Sequence, residues 1–189
     1  MLRICIALFH LLALSPVTAG AQAIDYARSR VTVLSRQMGV PVEAPFRKFT
    51  AQVNFDPAKP QAGSARVEID LASFDIGDQE INDSVKDPNW FDTRRHPAAL
   101  FVSSSVRALG EGRYEARGPL SIKGKSLEVI APFTVKSTGA DRIFEGVFPI
   151  RRLQYNIGDM HWRDTSVVAD EVKVRFRLYQ AAGKQAPGK

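Results

Sequence analysis

The sequence predicts an all-β protein: an antiparallel up-and-down barrel of about eight strands, interrupted by one short helical excursion. Three observations carry that expectation. Apolar and polar residues alternate with period two in run after run, the pattern of strands with one buried and one wet face. The runs are joined by hairpin-length connections rich in Gly, Pro, Asn and Asp. A row of half-buried strands exposes two raw edges unless it closes on itself, which a barrel achieves.

Residues 1–23 read as a cleaved export signal. Arg3 precedes an apolar core over 4–14 broken only by His10, Pro16 ends it, and small-x-small sites stand at Ala19-Gly20-Ala21 and Ala21-Gln22-Ala23. That core is shorter than the about 20 apolar residues a membrane-spanning helix needs. Cys5 is not placed as a lipid-anchor cysteine just before the cleavage site, so a soluble periplasmic protein cleaved near Ala21 or Ala23 is expected. Cys5 is the only cysteine and leaves with the signal, so no disulfide or thiol chemistry is expected. Only His96 and His161 then remain, too few for a zinc site of the usual His/Cys kind. The remaining 166 residues (189 − 23) suffice for one domain over 24–180, with a disordered tail at 181–189. The formal charge of +6 falls to +5 without Arg3. Export and the scatter of the basic residues argue against nucleic acid; an anionic ligand or membrane surface fits better, and a solvated surface better still.

Taken in order, 30–35 is a short β-branched run, and Phe49, Ala51, Val53 and Phe55 alternate with polar neighbours. Asp56-Pro57 opens a turn that lasts to Gly63, after which Ala65, Val67, Ile69 and Leu71 form the next apolar face. The rhythm breaks over 73–97. Asp78 or Ser73 can cap a short helix over 79–85 with Ile81 and Val85 on one face, and Pro88 ends it. Trp90-Phe91 then either covers an opening or staples a loop to the core. Strands resume at 100–106, turn at Gly110-Glu111-Gly112, and continue through Tyr114, Ala116, Gly118, Leu120 and Ile122. After Lys123-Gly124-Lys125 come Leu127, Val129, Ala131, Phe133 and Val135. The next face, Phe144, Gly146, Phe148 and Ile150, ends in Arg152; the last holds Val168, Asp170, Val172, Val174, Phe176 and Leu178. Small inward residues at Gly118, Ala131 and Gly146 make room, either for the packing of the taper or for a guest.

The inward set is Phe49, Val53, Phe55, Val67, Ile69, Tyr114, Phe133, Phe144, Phe148, Val174 and Phe176. Alternation alone favours a filled core over a lined cavity. Arg152 cannot shed its charge, so at the end of an apolar face it needs an anionic or polar partner. Asp170, on the inward parity of its strand, is the first candidate; Asp164 is the second, and a ligand head group is the rival.

Several runs, in this order along the chain, resemble the YceI-like family of periplasmic, lipocalin-like proteins that bind polyisoprenoids. They are Phe55-Asp56-Pro57, the segment Val85-Lys86-Asp87-Pro88-Asn89-Trp90-Phe91-Asp92, Phe101-Val102-Ser103-Ser104, Gly118-Pro119-Leu120-Ser121-Ile122-Lys123-Gly124, and Arg152-Leu153-Gln154-Tyr155-Asn156-Ile157-Gly158. There are departures: Tyr155-Asn156 stands for a commoner Phe-Gly, Ala44 for a glycine, and Trp90 for a phenylalanine. Asn156 can take the left-handed conformation that glycine would supply. The resemblance implies a lipocalin-like barrel, a long apolar ligand such as a polyprenyl lipid or isoprenoid quinone, and no cofactor. With Trp90, Phe91, Phe101, Arg152, Tyr155 and Trp162, the inward set makes up the candidate ligand-binding residues. The implied partners are the lipid itself and, by extension, a membrane surface, a b-type cytochrome or a second copy of the chain.

Each buried CH₂ contributes about 0.8 kcal/mol, so a five-carbon prenyl unit contributes roughly 3–4 kcal/mol at most. The tail therefore supplies affinity and the mouth must supply orientation. Two other readings stand beside the carrier. One is a packed barrel acting through its surface, motivated by the basic run Lys173, Arg175, Arg177. The other is a hydrolase built on His96 or His161 with Ser103, Ser104 or Ser105; no nucleophile elbow or paired-histidine motif supports it, so no enzyme is expected.

Overall fold

The computed structural model describes residues 23–139 and 141–181. The proposed signal cleavage sites and the tail beyond Ala181 fall wholly or mainly outside them. One curled antiparallel sheet holds ten strands: β1 (Arg30–Gln37), β2 (Val40–Phe46), β3 (Phe49–Asn54), β4 (Ser64–Asp70), β5 (Ala98–Val102), β6 (Ser105–Gly110), β7 (Arg113–Ile122), β8 (Lys125–Thr138), β9 (Asp141–Arg151) and β10 (Glu171–Gln180). The order is β2-β1-β10-β9-β8-β7-β5-β4-β3, with β6 also on β7. This is the expected up-and-down, lipocalin-like architecture with two more strands than the alternation suggested.

Both additions have local causes. β2 carries Pro41 and Pro45, which spoil a strand reading but are tolerated because β2 is a sheet edge. It follows a two-residue turn, Met38-Gly39, with φ of 47° and 80°. The expected single strand at 100–106 is broken at Ser103-Ser104, where the chain steps across β7. A Cβ on Gly118 would lie 2.1 Å from the Val102 carbonyl oxygen, so only glycine admits the step. Gly118 thus makes room for backbone. Gly146 makes room for the Phe176 ring, whose nearest atom would lie 2.5 Å from a Cβ there. Neither space is left for a guest.

Helix α1 (Gln79–Ser84) begins at Asp78, whose carboxylate accepts from the N–H groups of Glu80 and Ile81. With the turns that follow, it lies across one end of the barrel. That end gathers the β1–β2 turn, the β7–β8 turn and the long β9–β10 connection: Met38 N–H donates to Val167 O, Lys123 Nζ to Asn156 O, and Gly158 N–H to Asn89 O. The opposite end holds the β3–β4 connection, the β6–β7 and β8–β9 turns, and the pairing of Ile24 with Gln180.

The edge strands β2 and β3 share no ladder. Side chains fasten the free edge of β3 instead. The Tyr26 hydroxyl accepts from Ala51 N–H (3.2 Å) and donates to Ala51 O (3.5 Å), Gln180 Nε2 donates to Val53 O (2.7 Å), and Arg142 donates to Phe55 O.

Candidate functional site

Curling brings the inward faces of β1–β10 around an apolar cavity of about 460 Å³, within the usual size range of ligand pockets. At the end opposite α1 it is floored by aromatics. Phe55 meets Tyr114 edge-on at 4.8 Å and Phe144 at 5.7 Å, and Tyr114 stacks on Phe133 at 5.4 Å. Aromatic rings in these geometries attract beyond their burial and hold the floor together. Toward α1 the wall passes through Phe101, Phe148 and Phe176 to a mouth formed by Met38 and Val42, by Ile81 and Val85 of the α1 segment, and by Trp162 and Val167.

Most of the predicted inward residues do line this space: Val53, Phe55, Val67, Ile69, Phe101, Phe133, Phe144, Phe148, Val174 and Phe176, with Trp90, Phe91, Arg152 and Trp162 toward the mouth. Three do not. Phe49 packs edge-on against Tyr26 at 5.5 Å, outside the lining. Tyr114 lies behind Phe55 and Phe133 as part of the floor. Tyr155 is 1% exposed, off the lining, and its buried hydroxyl has no hydrogen-bond partner; burial also pushes its pKa up. Its neighbour Asn156 is left-handed, φ 55° and ψ 33°, as its substitution for glycine requires.

The sequence reading missed the contribution of β1 and β2: Val31, Val33, Ser35, Val42, Ala44 and Phe46 all line the cavity. The signal was present as period-two alternation but was hidden in β2 by the prolines. Of the two readings of Trp90-Phe91, the staple describes Phe91, while Trp90 lies toward the mouth and the opening is covered by the helix residues. Ile81 and Val85 cover the opening, while Phe91 anchors the segment against Phe46 (6.1 Å) and Phe74 (6.0 Å).

Arg152 finds the polar partners it needs within the chain, but they are not the carboxylates of Asp170 or Asp164. It is 2% exposed, and its five N–H groups all go to backbone carbonyls of the β9–β10 connection. Nε donates to Ala169 O (3.1 Å), Nη1 to Ile157 O and Gly158 O (2.9 and 2.7 Å), and Nη2 to Trp162 O and Val168 O (2.6 and 2.7 Å). A planar fork of five donors suits such a knot, and no donor remains for a ligand. Asp170 is occupied elsewhere: its carboxylate accepts from Leu153 N–H (3.0 Å) and Arg151 (3.4 Å). Burial lowers the Arg152 pKa, and the nearby Asp170 charge offsets this in part. The charge faces Trp90, whose ring centroid lies 6.0 Å from the guanidinium carbon, and Trp90 in turn packs on Trp162 at 5.6 Å.

The other sequence candidates lie apart from the cavity. Ser103 Oγ accepts from Ala65 N–H and Ser104 Oγ donates to Arg117 O. His96 packs against Gly124, and the His161 side chain lies outside the described residues. Among the described residues no group of three or more His, Cys, Asp or Glu could hold a metal, and no helix is long and apolar enough to cross a membrane.

Comparison with known proteins agrees with this geometry. The chain is 49% identical to BcnA of Burkholderia cenocepacia, with a TM-score of 0.81 over 82% of this chain and 98% of that one. A polyisoprenoid binding domain from Saccharophagus degradans, implicated in plant cell wall breakdown, shares the fold at 17% identity, with a TM-score of 0.67 over 86% of this chain and 99% of that one. Among curated relatives, a UPF0312 protein of Azotobacter vinelandii is 29% identical over 96 residues, 51% of this chain and 50% of the relative. The chain thus spans about half the length of the curated relatives it matches. The model of the YceI-like domain covers residues 22–179, nearly the whole curled sheet together with its α1 cover and the Arg152 knot, and the chain belongs to that family.

Proposed function

We propose that this protein binds one long apolar isoprenoid, a polyprenyl lipid or an isoprenoid quinone, inside the barrel, and carries or sequesters it in the periplasm. The observation that supports this best is the cavity itself: about 460 Å³ walled by aliphatic and aromatic side chains. An apolar hollow of this size leaves its lining without contact partners on one side, which works against the fold. A hydrocarbon guest removes that penalty, so a retained void makes physical sense in a protein that is loaded for much of its life. The polyisoprenoid-binding function of the Saccharophagus degradans domain points the same way. The alternative of a packed barrel working only through its surface needs an interior filled by the protein's own side chains.

Arg152 has no donor to spare, so the head group is oriented at the mouth, where Ser35, Gln37 and Ser84 are the polar lining residues. In this reading the protein is a binder, not an enzyme. A quinone ligand would bring a membrane-bound b-type cytochrome as its partner; assembly as a homodimer is a separate extension of the same reading.

The test is organic extraction of the protein purified from exporting cells, followed by mass spectrometry. An isoprenoid in near-stoichiometric amount is expected. Protein that emerges empty from several expression hosts, and takes up no added polyprenol or quinone, overturns the proposal. Sequencing the amino terminus of periplasmic protein tests export; it should begin at Gln22 or Ile24.

A further inference from the structure

Ten large hydrophobic residues are exposed among the described residues; Met38 (77%), Trp162 (42%) and Val167 (36%) line the cavity mouth, and Val40 (62%) and Met160 (67%) follow or precede them by two residues along the chain. The other five are scattered over the rest of the molecule, as single exposed apolar residues ordinarily are. The five named come from two segments that are bonded into one surface. Met38 N–H donates to Val167 O at 2.8 Å, Gln37 pairs with Val168, and Ala169 N–H donates to Arg36 O at 2.9 Å.

Two of these positions are unusual on backbone grounds. Met38 and Met160 have φ of 47° and 59°, the left-handed region where Gly or Asn is favoured. A flexible apolar side chain is therefore held out into solvent at a strained position, twice, on the two tips of the same rim. Strain retained in this way points to a role beyond the fold. The rim is also stiff. The five Arg152 bonds tie down the connection at Ile157, Gly158, Trp162, Val168 and Ala169. A preformed apolar surface loses little freedom on docking.

We infer that this rim docks on a lipid bilayer, seating the mouth against the apolar phase so that a hydrocarbon chain passes between membrane and barrel without crossing water. The inference rests on the carrier reading above. The rim is continuous with the cavity, because Met38, Trp162 and Val167 belong to both. An apolar ligand resides in a bilayer when it is not in the barrel, so the surface joined to the mouth faces the ligand's source. A tryptophan beside flexible methionines suits the boundary between head groups and acyl chains. Arg36 and Arg163 flank the rim, with Asp159 and Asp164 beside them; Arg163 pairs with Asp159 at 3.2 Å. With the charges balanced, apolar insertion provides the contact, and zwitterionic bilayers should be bound as well as anionic ones.

The protein has two tryptophans, so in a Trp90→Phe variant Trp162 is the sole reporter. On adding phosphatidylcholine vesicles its emission should shift to the blue and become shielded from acrylamide, and the protein should float with the vesicles. Val40→Asp/Met160→Asp changes two rim residues that do not line the cavity. It should weaken vesicle binding at least tenfold, leave the melting temperature within a few degrees, and leave the uptake of detergent-dispersed polyprenol unchanged. Lipid-loaded protein that binds neither phosphatidylcholine nor phosphatidylglycerol vesicles overturns the docking and spares the carrier reading. Vesicle binding by a protein that carries and takes up no isoprenoid overturns the carrier reading and the purpose inferred for the rim. Binding only to phosphatidylglycerol, unaffected by the double variant, overturns the apolar rim. Concentration-dependent dimers abolished by the double variant, without vesicle binding, assign the rim to a second copy of the chain and overturn it as well.

Discussion

The two ends of the barrel are built on opposite principles. At one end, Phe55, Tyr114, Phe133 and Phe144 fill the space between strands with rings in mutual contact, and hydrogen bonds from Gln180 and Arg142 tie the chain beside them. At the other, closure is assigned to polar backbone: the α1 segment and the β9–β10 connection bridge the opening and are held by Arg152, by Asp78 at the helix start and by the Asp75 network. An aromatic floor cannot open without losing its contacts all at once. A hydrogen-bonded cover can be made firm where the arginine sits and left apolar where the rim projects. The contrast teaches that one end is closed mainly by ring packing and the other by hydrogen bonds gathered on a buried arginine, whose donors are all spent on the chain itself.

The largest effect is expected from breaking the firm part of the mouth. Arg152→Met removes all five bonds and leaves carbonyls that each cost about 1–3 kcal/mol when unpaired. Even with water entering to satisfy some, urea denaturation should show a loss of at least about 3 kcal/mol, and Arg152→Lys should not restore it, because an ammonium has three donors where the fork has five. A native-like midpoint would mean that the mouth does not depend on the knot. A smaller effect is expected inside the hollow. Phe148→Trp adds bulk to a wall that faces empty space, so lipid uptake should fall while stability changes by less than about 1 kcal/mol. A destabilisation of about 1–3 kcal/mol would be the signature of an overpacked, full interior.

Tyr155→Phe removes a buried hydroxyl that has no partner. Deleting an unsatisfied polar group at constant shape should stabilise the protein by up to about 1 kcal/mol, read as a rise in melting temperature. The smallest effect is that of acid. Asp75, Asp83, Asp159 and Asp164 all have pKa values lowered by hydrogen bonds to backbone N–H groups or neighbouring side chains, and all lie in the segments that cover the mouth. A depressed folded-state pKa means that the stabilisation is complete above the unfolded value near 4 and is lost as pH falls through the folded one. Asp25 and Glu145, toward the other end, are lowered too, but with four such groups in the cover, hydrogen exchange below about pH 4 should accelerate in residues 75–92 and 156–170 before it does in the floor strands. Uniform acceleration would erase the distinction between the two ends.

Much of the wall was legible from the residues. Period-two alternation placed Phe55, Val67, Phe133, Phe148 and Phe176 on the inward side because a strand has only two faces. The Asp78 cap and the Ile81/Val85 face of α1 were equally local. What alternation does not contain is the distance between facing walls, so the same residues describe a full core or a hollow one. β2 was obscured because proline reads as a breaker unless the strand is known to be an edge. The partners of Arg152 are hidden for a deeper reason. A carboxylate partner leaves a mark in the sequence, whereas five carbonyl oxygens from a folded-back loop are common to every residue and leave none. Asp170 had the right parity but sits a residue before β10, where the Leu153 amide claims it.

The Tyr26 hydroxyl does for the hem of β3 what a neighbouring strand would, meeting both the amide and the carbonyl of Ala51. An unpartnered hem of this kind invites strands from other molecules and so seeds fibrils. The barrel is thus a hoop drawn shut with buttons: a phenol, an amide and a guanidinium. Three side chains draw the β3 hem in, and the same three make it less of an invitation to another molecule.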